Sequence, residues 1–241
     1  MYNFMKGTGF LLAGIKMLPA RGLKRFVILP IIFNLLLFIS FFYCLYYFFY
    51  PYSADLLELL PAWLGFLHVV FLAIYFVSCF LFFLSTFTVF CNLLAAPFNG
   101  LLAEKAQYML YKEIIPELSF ATIVVRSIKR QLQFIGYFIP RFLLMCLLFF
   151  IPVVHPIYPL LWFFFNAWIL SVQYQDFAMD NNLVSFEAMK NAIYLNKSQT
   201  LGFGSLINLL SFIPVLNIIV MPAAVIGGVF MYHSQRTQAL A

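Results

Sequence analysis

Charged side chains are scarce in this sequence and make up only 9% of its 241 residues. A soluble domain carries about a quarter charged and about half apolar residues, whereas 65% of the residues here are apolar. This shortage of charge excludes an ordinary soluble domain. The apolar residues form tracts rich in Phe, Leu, Ile and Val that reach the length a bilayer requires. The sequence therefore predicts an integral membrane protein with a single membrane domain, residues 1–241.

Recognisable catalytic and metal-binding motifs are also missing. The sequence contains no GxSxG elbow, HExxH pair, Walker A loop or dinucleotide-binding glycine fingerprint. The four cysteines all lie inside apolar tracts and lack CxxC spacing: Cys44, Cys79, Cys91 and Cys146. We therefore expect no enzymatic activity, no cofactor and no bound metal.

Two long uncharged tracts predict transmembrane helices at residues 26–50 and 64–98. A helix needs about 20 residues to cross the hydrocarbon core, at 1.5 Å per residue. The second tract is longer than one crossing and too short for two, which favours a single tilted or protruding helix. Pro97 and Gly100 are expected to break or kink that helix at its end.

The stretch from residue 100 to 141 is richer in charge and predicts amphipathic helices at the membrane surface. Arg126, Lys129 and Arg130 have i, i+3, i+4 spacing and so share one helix face. The default role of such a basic face is to lie on an anionic lipid surface.

Two later apolar regions, residues 142–172 and 203–232, are each interrupted by proline. The tract before Pro152 has ten uncharged residues, Phe142 to Ile151, and would extend about 15 Å, half of the hydrocarbon core. The tetrapeptide Phe-Ile-Pro-Val occurs at both breaks, ending in Val153 and Val215. Both regions are interpreted as half-penetrating (re-entrant) helical hairpins, which mark transport pathways when paired. The alternative is two unrelated proline turns.

The distribution of cations sets the predicted topology. Lys and Arg concentrate before residue 26 and between residues 100 and 141, whereas the loop 52–63 has none. By the positive-inside rule both termini are cytoplasmic. The predicted fold is an all-α, multi-pass integral membrane protein with two long transmembrane helices and two re-entrant hairpins.

The segment Gly22-Leu23-Lys24-Arg25, just before the first membrane helix, is the best candidate binding site. Glycine permits close backbone approach, a helix start offers unpaired N–H groups, and two cations supply charge-assisted hydrogen bonds. A dianion such as sulfate or phosphate suits that combination. The alternative is ordinary juxtamembrane charge.

Other polar residues are candidates for lining or gating a route. Asn99 and Glu104 flank the predicted kink, and Glu104 is able to pair with Arg126, Lys129 or Arg130 or to remain solvated. Further candidates are the helix breaks and two basic residues: Pro152, Pro214, Arg126 and Arg130. Asp176 and Asp180, at i, i+4, fit either a cation or proton site or, with Asn181 and Asn182, a polar exit turn with a helix cap.

Several ordered stretches resemble the bacterial CysZ sulfate permeases. They are Gly22-Leu23 followed by Arg25-Phe-Val-Ile-Leu-Pro30, Ala95-Ala-Pro-Phe-Asn-Gly-Leu-Leu-Ala-Glu104, Gln173-Tyr174-x-Asp176-x-x-x-Asp180-Asn181 and Met221-Pro-x-Ala-Val225. The string from Ala95 to Glu104 is the most specific. The resemblance extends over nearly the whole chain.

The resemblance implies inner-membrane sulfate uptake for cysteine synthesis, by a homo-oligomer of helical subunits. It also implies that sulfate binds at the Gly-Leu-Arg-type motif, which maps onto Gly22, Leu23, Lys24 and Arg25. Lys24 stands where Arg is common, and it keeps the charge but loses the bidentate geometry. Expected partners are sulfate, membrane lipid and further copies of the chain, with no nucleic acid.

The function expected from the sequence is therefore a sulfate permease or channel. The alternative is a non-catalytic membrane scaffold or regulator whose basic helix binds anionic lipid or a partner protein.

Overall fold

The computed structural model describes residues 2–20, 22–23, 97–116 and 118–240, together with residues 28, 32, 35–40, 42, 43, 46, 47, 70, 74, 77 and 78. Every regular element within these residues is helical, as the all-α prediction required. The chain forms two compact units, one of residues Ile28–Ala95 and one of residues Met1–Val27 and Ala96–Ala241.

The unit Ile28–Ala95 contains most of the two predicted membrane helices, 26–50 and 64–98. Its described residues are helical, with a π-helical pair at 46 and 47. Many of them expose large apolar side chains: Ile28, Ile32, Leu35, Leu36, Ile39, Val70, Ile74 and Val77. The other residues of this unit lie outside the described part of the chain.

The second unit contains the helices that are described at length, numbered here in chain order. They are α1 (Tyr2–Met17), α2 (residues 97–111), α3 (Phe120–Phe149), α4 (Tyr158–Asn181), α5 (Phe186–Leu195), α6 (Lys197–Ser211) and α7 (Pro214–Leu240). A 3-10 turn, Pro152–Val154, separates α3 from α4.

The centre of this unit is a bundle in which α6 and α7 pack against both α1 and α4. Leu11, Leu102, Phe203 and Ile226 are fully buried in its core. A second cluster joins α3, α4 and α5 around residues such as Met189. The end of α1 and the start of α2 both contribute side chains to this core, among them Met17 and Leu102.

Glycine allows α1 to lie directly against its neighbours. A Cβ atom on Gly7 would overlap the carbonyl oxygen of Gln199 in α6, and one on Gly14 would overlap the carbonyl oxygen of Ala223 in α7. Such contacts suit a membrane bundle, because small residues let helix backbones approach closely where lipid gives no hydrophobic drive.

The predicted boundary between an amphipathic segment ending at residue 141 and a hairpin starting at 142 does not coincide with a helix end. Helix α3 runs for 30 residues through Pro140 and Arg141, so its apolar end is not a separate ten-residue arm. Arg141 lies within the helix, where its guanidinium donates to the Tyr137 carbonyl oxygen at 2.7 Å and lies 3.6 Å from the Tyr137 ring centroid.

The expected break or kink at Pro97 and Gly100 falls where the described residues resume, so the residues just before it, near the end of the helix predicted at 64–98, lie outside them. Gly100 lies inside α2, which continues from residue 97 to residue 111. Its carbonyl oxygen accepts a hydrogen bond of 2.7 Å from the Asn181 side chain. This hydrogen bond links α4 to α2 at the glycine for which the sequence pattern suggested a kink.

Both Phe-Ile-Pro-Val tetrapeptides lie at turns between helices. The first joins α3 to α4, and His155 Nε2 lies 2.6 Å from the Phe149 carbonyl oxygen across that turn. The second joins α6, which ends at Ser211, to α7, which begins at Pro214. The sequence located these two helix breaks correctly.

Among the described residues, one helix is long and apolar enough to cross a membrane, Ala121–Phe149 with a mean hydropathy of 1.8. Only 17% of its most apolar window is buried within the protein. Most of that surface is therefore free to contact lipid or another subunit.

Substitution of Gly7 tests the close packing of α1. We expect Gly7→Ala to lower the free energy of unfolding by about 1–3 kcal/mol, because the added methyl meets backbone atoms that cannot rotate away. Gly9→Ala is the matched control on the same helix, since no atom lies within 4 Å of its Cβ position. Thermal unfolding of the detergent-solubilised chain measures both variants, and equal stability of the two would contradict the packing argument.

Candidate functional site

The turn after α1 contains the described half of the predicted anion-binding segment. Gly22 has a φ of 101°, a left-handed conformation that favours glycine, and it is exposed. Leu23 is fully buried in the bundle core. The turn is thus anchored on one side and open on the other, while Lys24 and Arg25 lie outside the described residues.

Lys105 of α2 lies next to this turn. Its Cε atom is 3.8 Å from the position that a Cβ atom would take on Gly22. Its Nζ atom is 5.4 Å from the centroid of the Tyr108 ring, and Lys112 Nζ lies at the same distance from that ring. Sequence reasoning did not single out Lys105, because the signal is a contact between positions far apart in the chain.

The basic face of α3 is paired with the acidic face of α4. Arg130 donates to the Asp176 carboxylate from Nε, at 2.8 Å to Oδ1 and 2.9 Å to Oδ2, and from Nη2, at 2.6 Å to Oδ1. Arg126 Nη2 donates to both the carboxylate and the carbonyl oxygen of Asp180, at 2.9 and 2.8 Å. The i, i+4 spacing of the arginines matches that of the aspartates, so the two faces meet in register.

This pairing changes the interpretation of both predicted faces. Arg126 and Arg130 are not free to lie on anionic lipid, and Lys129 remains the exposed member of the basic triplet. Asp176 and Asp180 serve as partners of the arginines. Asn182 is the C-cap residue of α4, as the exit-turn interpretation required.

The ion pair between Arg130 and Asp176 is largely buried. The side chains of Arg130 and Asp176 are 11% and 9% exposed. Burial raises the pKa of the Asp176 carboxyl to about 6, because desolvation outweighs the opposing effect of the Arg130 guanidinium. Asp176 lies beyond the predicted membrane-embedded range 142–172.

Two of the predicted pathway residues are brought together. Glu104 of α2 and Arg126 of α3 line one cavity of about 250 Å³, with Asp180 on its wall. Arg130 lines a second cavity of about 280 Å³ together with Arg126 and Lys129. The first cavity lies where α2, α3 and the end of α4 meet. The second lies between α3 and the turn that joins α4 to α5.

The other predicted pathway residues are placed elsewhere. Asn99 is half-buried on α2 and lines neither of these cavities. Pro152 lies in the exposed 3-10 turn, and Pro214 is the first residue of α7. They act as helix breaks in the described fold.

A carboxylate that sequence reasoning overlooked links three helices. Glu113 accepts a 2.7 Å hydrogen bond from Gln107 and lies 3.4 Å from Arg236 and 3.7 Å from His233. Gln107 in turn exchanges hydrogen bonds of 3.1 and 2.9 Å with Asn182. These contacts tie the end of α2 to α4 and α7 and so fix the position of α2.

Loss of the Arg130 guanidinium would leave the largely buried Asp176 carboxylate without its cationic partner. For Arg130→Met we expect a loss of about 3–5 kcal/mol in unfolding free energy at pH 8. The loss should be smaller at pH 5. The folded-state pKa of Asp176 is already above its unfolded value, and it rises further when the guanidinium is removed. As the pH falls through that pKa, the folded state takes up a proton and no longer contains an unpaired buried charge.

Chemical unfolding of the solubilised chain at both pH values measures this effect. Lys129→Met, on the neighbouring exposed position, is the control and should change stability little at either pH. An Arg130→Met loss that is equal at pH 5 and pH 8 would contradict the assignment of Asp176 as the uncompensated charge.

Comparison with known proteins agrees with the resemblance noted in the sequence. A family model described as Sulfate transporter CysZ/Etoposide-induced protein 2.4 matches residues 10–222. The chain is 36% identical to a sulfate transporter CysZ of Pectobacterium atrosepticum over 92% of its length and 82% of that protein. It is 34% identical to one of Pseudomonas fluorescens, over 96% and 94% of the two chains, and 36% identical to one of Salmonella typhimurium, over 94% and 91%. The chain therefore belongs to the sulfate transporter CysZ/etoposide-induced protein 2.4 family.

Proposed function

We propose that this protein is a sulfate permease of the bacterial inner membrane that imports sulfate for cysteine synthesis. The observation that carries the proposal is the identity of 34–36% to proteins named sulfate transporters, over more than nine-tenths of the chain. The scarcity of charge, the all-helical fold and the apolar surface of α3 support a membrane location.

The proposed anion site consists of Gly22, Leu23, Lys24 and Arg25. The left-handed φ of Gly22 supports it, since this exposed turn cannot easily carry another residue. The burial of Leu23 supports it as well, because an anchored turn is preorganised for a ligand. Lys24 and Arg25 follow directly in the chain and supply the positive charge.

The proposed route for the anion passes the cavity lined by Glu104 and Arg126. Asn99 and Arg130 are further candidates on this route, and the helix breaks at Pro152 and Pro214 are candidates for gating. The pairing of the arginines with Asp176 and Asp180 supports a role in shaping the cavity more than one in capturing sulfate directly.

The proposed arrangement in the membrane has helices 26–50 and 64–98 as full crossings. Residues 100–141 contain the cytoplasmic-side amphipathic helices, and residues 142–172 and 203–232 form re-entrant hairpins. Both termini face the cytoplasm, and a homo-oligomer in lipid encloses the pathway. Because α3 is continuous, the first hairpin enters the membrane as the extension of the basic helix.

Sulfate uptake into proteoliposomes tests this function. We expect saturable uptake by the wild-type chain and a loss of about ten-fold or more for Arg25→Ala, because a charge-assisted contact to the anion is removed. Lys16→Ala is the matched control, since Lys16 is another exposed N-terminal cation outside the motif. No uptake above that of empty liposomes by folded, inserted protein would contradict the permease and favour the scaffold or regulator.

A further inference from the structure

Lys105 belongs to a different helix from the proposed anion-binding segment, yet it borders that segment. Its side chain reaches the exposed face of the Gly22 turn, with Cε 3.8 Å from the Cβ position of Gly22. A Cβ atom at Gly22 would be in ordinary van der Waals contact with the Lys105 side chain, so the two residues are direct neighbours. The ammonium group is therefore held beside the only residue of the motif that is both described and exposed.

The positive charge of Lys105 is not neutralised within the described part of the chain. The ion pairs there involve other cations: Arg126, Arg130, Lys190, His233 and Arg236. The contact of Lys105 with the Tyr108 ring, at 5.4 Å, orients the side chain without cancelling its charge. A half-buried lysine with this contact is available to bind an anion.

The position of Lys105 is fixed by packing on both sides. Its neighbours Ala103 and Ala106 are fully buried in the same core cluster as Leu23. The helix and the turn therefore contribute to the same core cluster, which positions the backbone from which the Lys105 side chain extends. A preorganised cation of this kind contributes more to binding than one that must be ordered first.

Chain connectivity brings the motif's own cations within reach of the same point. Consecutive Cα atoms are about 3.8 Å apart, so the Cα atom of Arg25 is at most about 11 Å from that of Gly22. The length of the chain therefore allows Arg25 and Lys105 to be ligands of the same anion. A tetrahedral dianion benefits from a third cation more than a monovalent ion does, because the Coulomb attraction scales with its charge.

We propose that Lys105 is a third cationic ligand of the sulfate-class dianion bound at Gly22–Arg25 and that it favours dianions over monovalent anions at this site. This inference rests on the function proposed above. It adds a ligand from α2, so that the site is assembled from two separate parts of the chain.

Equilibrium binding of radiolabelled sulfate to the purified full-length protein tests the proposal. We expect Lys105→Met to weaken sulfate binding about ten-fold or more, the loss typical of a hydrogen bond to a charged group. Lys105→Arg should retain most of the affinity, because it keeps the charge. Competition by chloride should become relatively stronger in Lys105→Met, since the variant loses more affinity for the dianion.

Lys112→Met is the matched control. It removes the same charge and a contact of the same length with the same Tyr108 ring, but Lys112 does not border Gly22. We expect its sulfate affinity to fall less than that of Lys105→Met, because Lys112 is exposed, makes no contact with Gly22, and its charge is screened by salt. Lys105→Gln provides a second neutral variant if Lys105→Met unfolds at a lower temperature than the wild type.

The outcomes separate this inference from the function on which it rests. Wild-type affinity in folded Lys105→Met, with binding lost in Arg25→Ala, would overturn the role of Lys105 and leave the permease intact. Equal weakening by Lys105→Met and Lys112→Met would also overturn it, since only net charge would then matter. No sulfate binding by the wild type would refute the proposed site and this inference together.

Discussion

Close contact between helix backbones is the constraint on which the described bundle depends. Glycine at positions 7 and 14 lets α1 touch the carbonyl groups of α6 and α7, and Gly204 and Gly228 do the same for α4. In lipid these contacts replace the hydrophobic drive that holds soluble helices together. Because α1 is held on two neighbours, the turn that follows it is fixed as well. Leu23 enters the core, and the exposed Gly22 is left at the surface of a rigid support.

Polar contacts then fix the positions of α2 and α3 relative to the packed bundle. The two arginine–aspartate pairs join α3 to α4, and the amide and carboxylate contacts around Gln107 and Glu113 join α2 to α4 and α7. Neutralisation inside the protein explains why a face with three cations does not behave as a free basic surface. Several cations lie outside the described ion pairs, Lys105, Lys112 and Lys129 among them, and of these three Lys105 borders the Gly22 turn. The charge proposed to bind an anion is thus a small part of the charge in the sequence.

Local patterns predicted several features because their physical causes are local. Proline at residues 152 and 214 lacks a backbone N–H, so both helix breaks were evident from the chain alone. Glycine at residue 22 was expected only to permit close backbone approach, and the structure adds that its φ is positive, which few residues tolerate. Contacts between distant positions were not evident from the chain alone. The hydrogen bond from Asn181 of α4 to the Gly100 carbonyl oxygen in α2 is an example.

The sequence by itself determined that this is an all-helical membrane protein, that it resembles the CysZ permeases, and where the candidate anion-binding turn lies. Composition and proline positions act within one segment, so they need no knowledge of packing. Only the tertiary structure decided which charges cancel one another and that Lys105 lies beside Gly22. Those pairings join positions far apart in the chain, and they follow from which helix faces meet. Helix periodicity specifies that a face is polar or apolar, but the partner of that face is selected by the shape of the packed bundle.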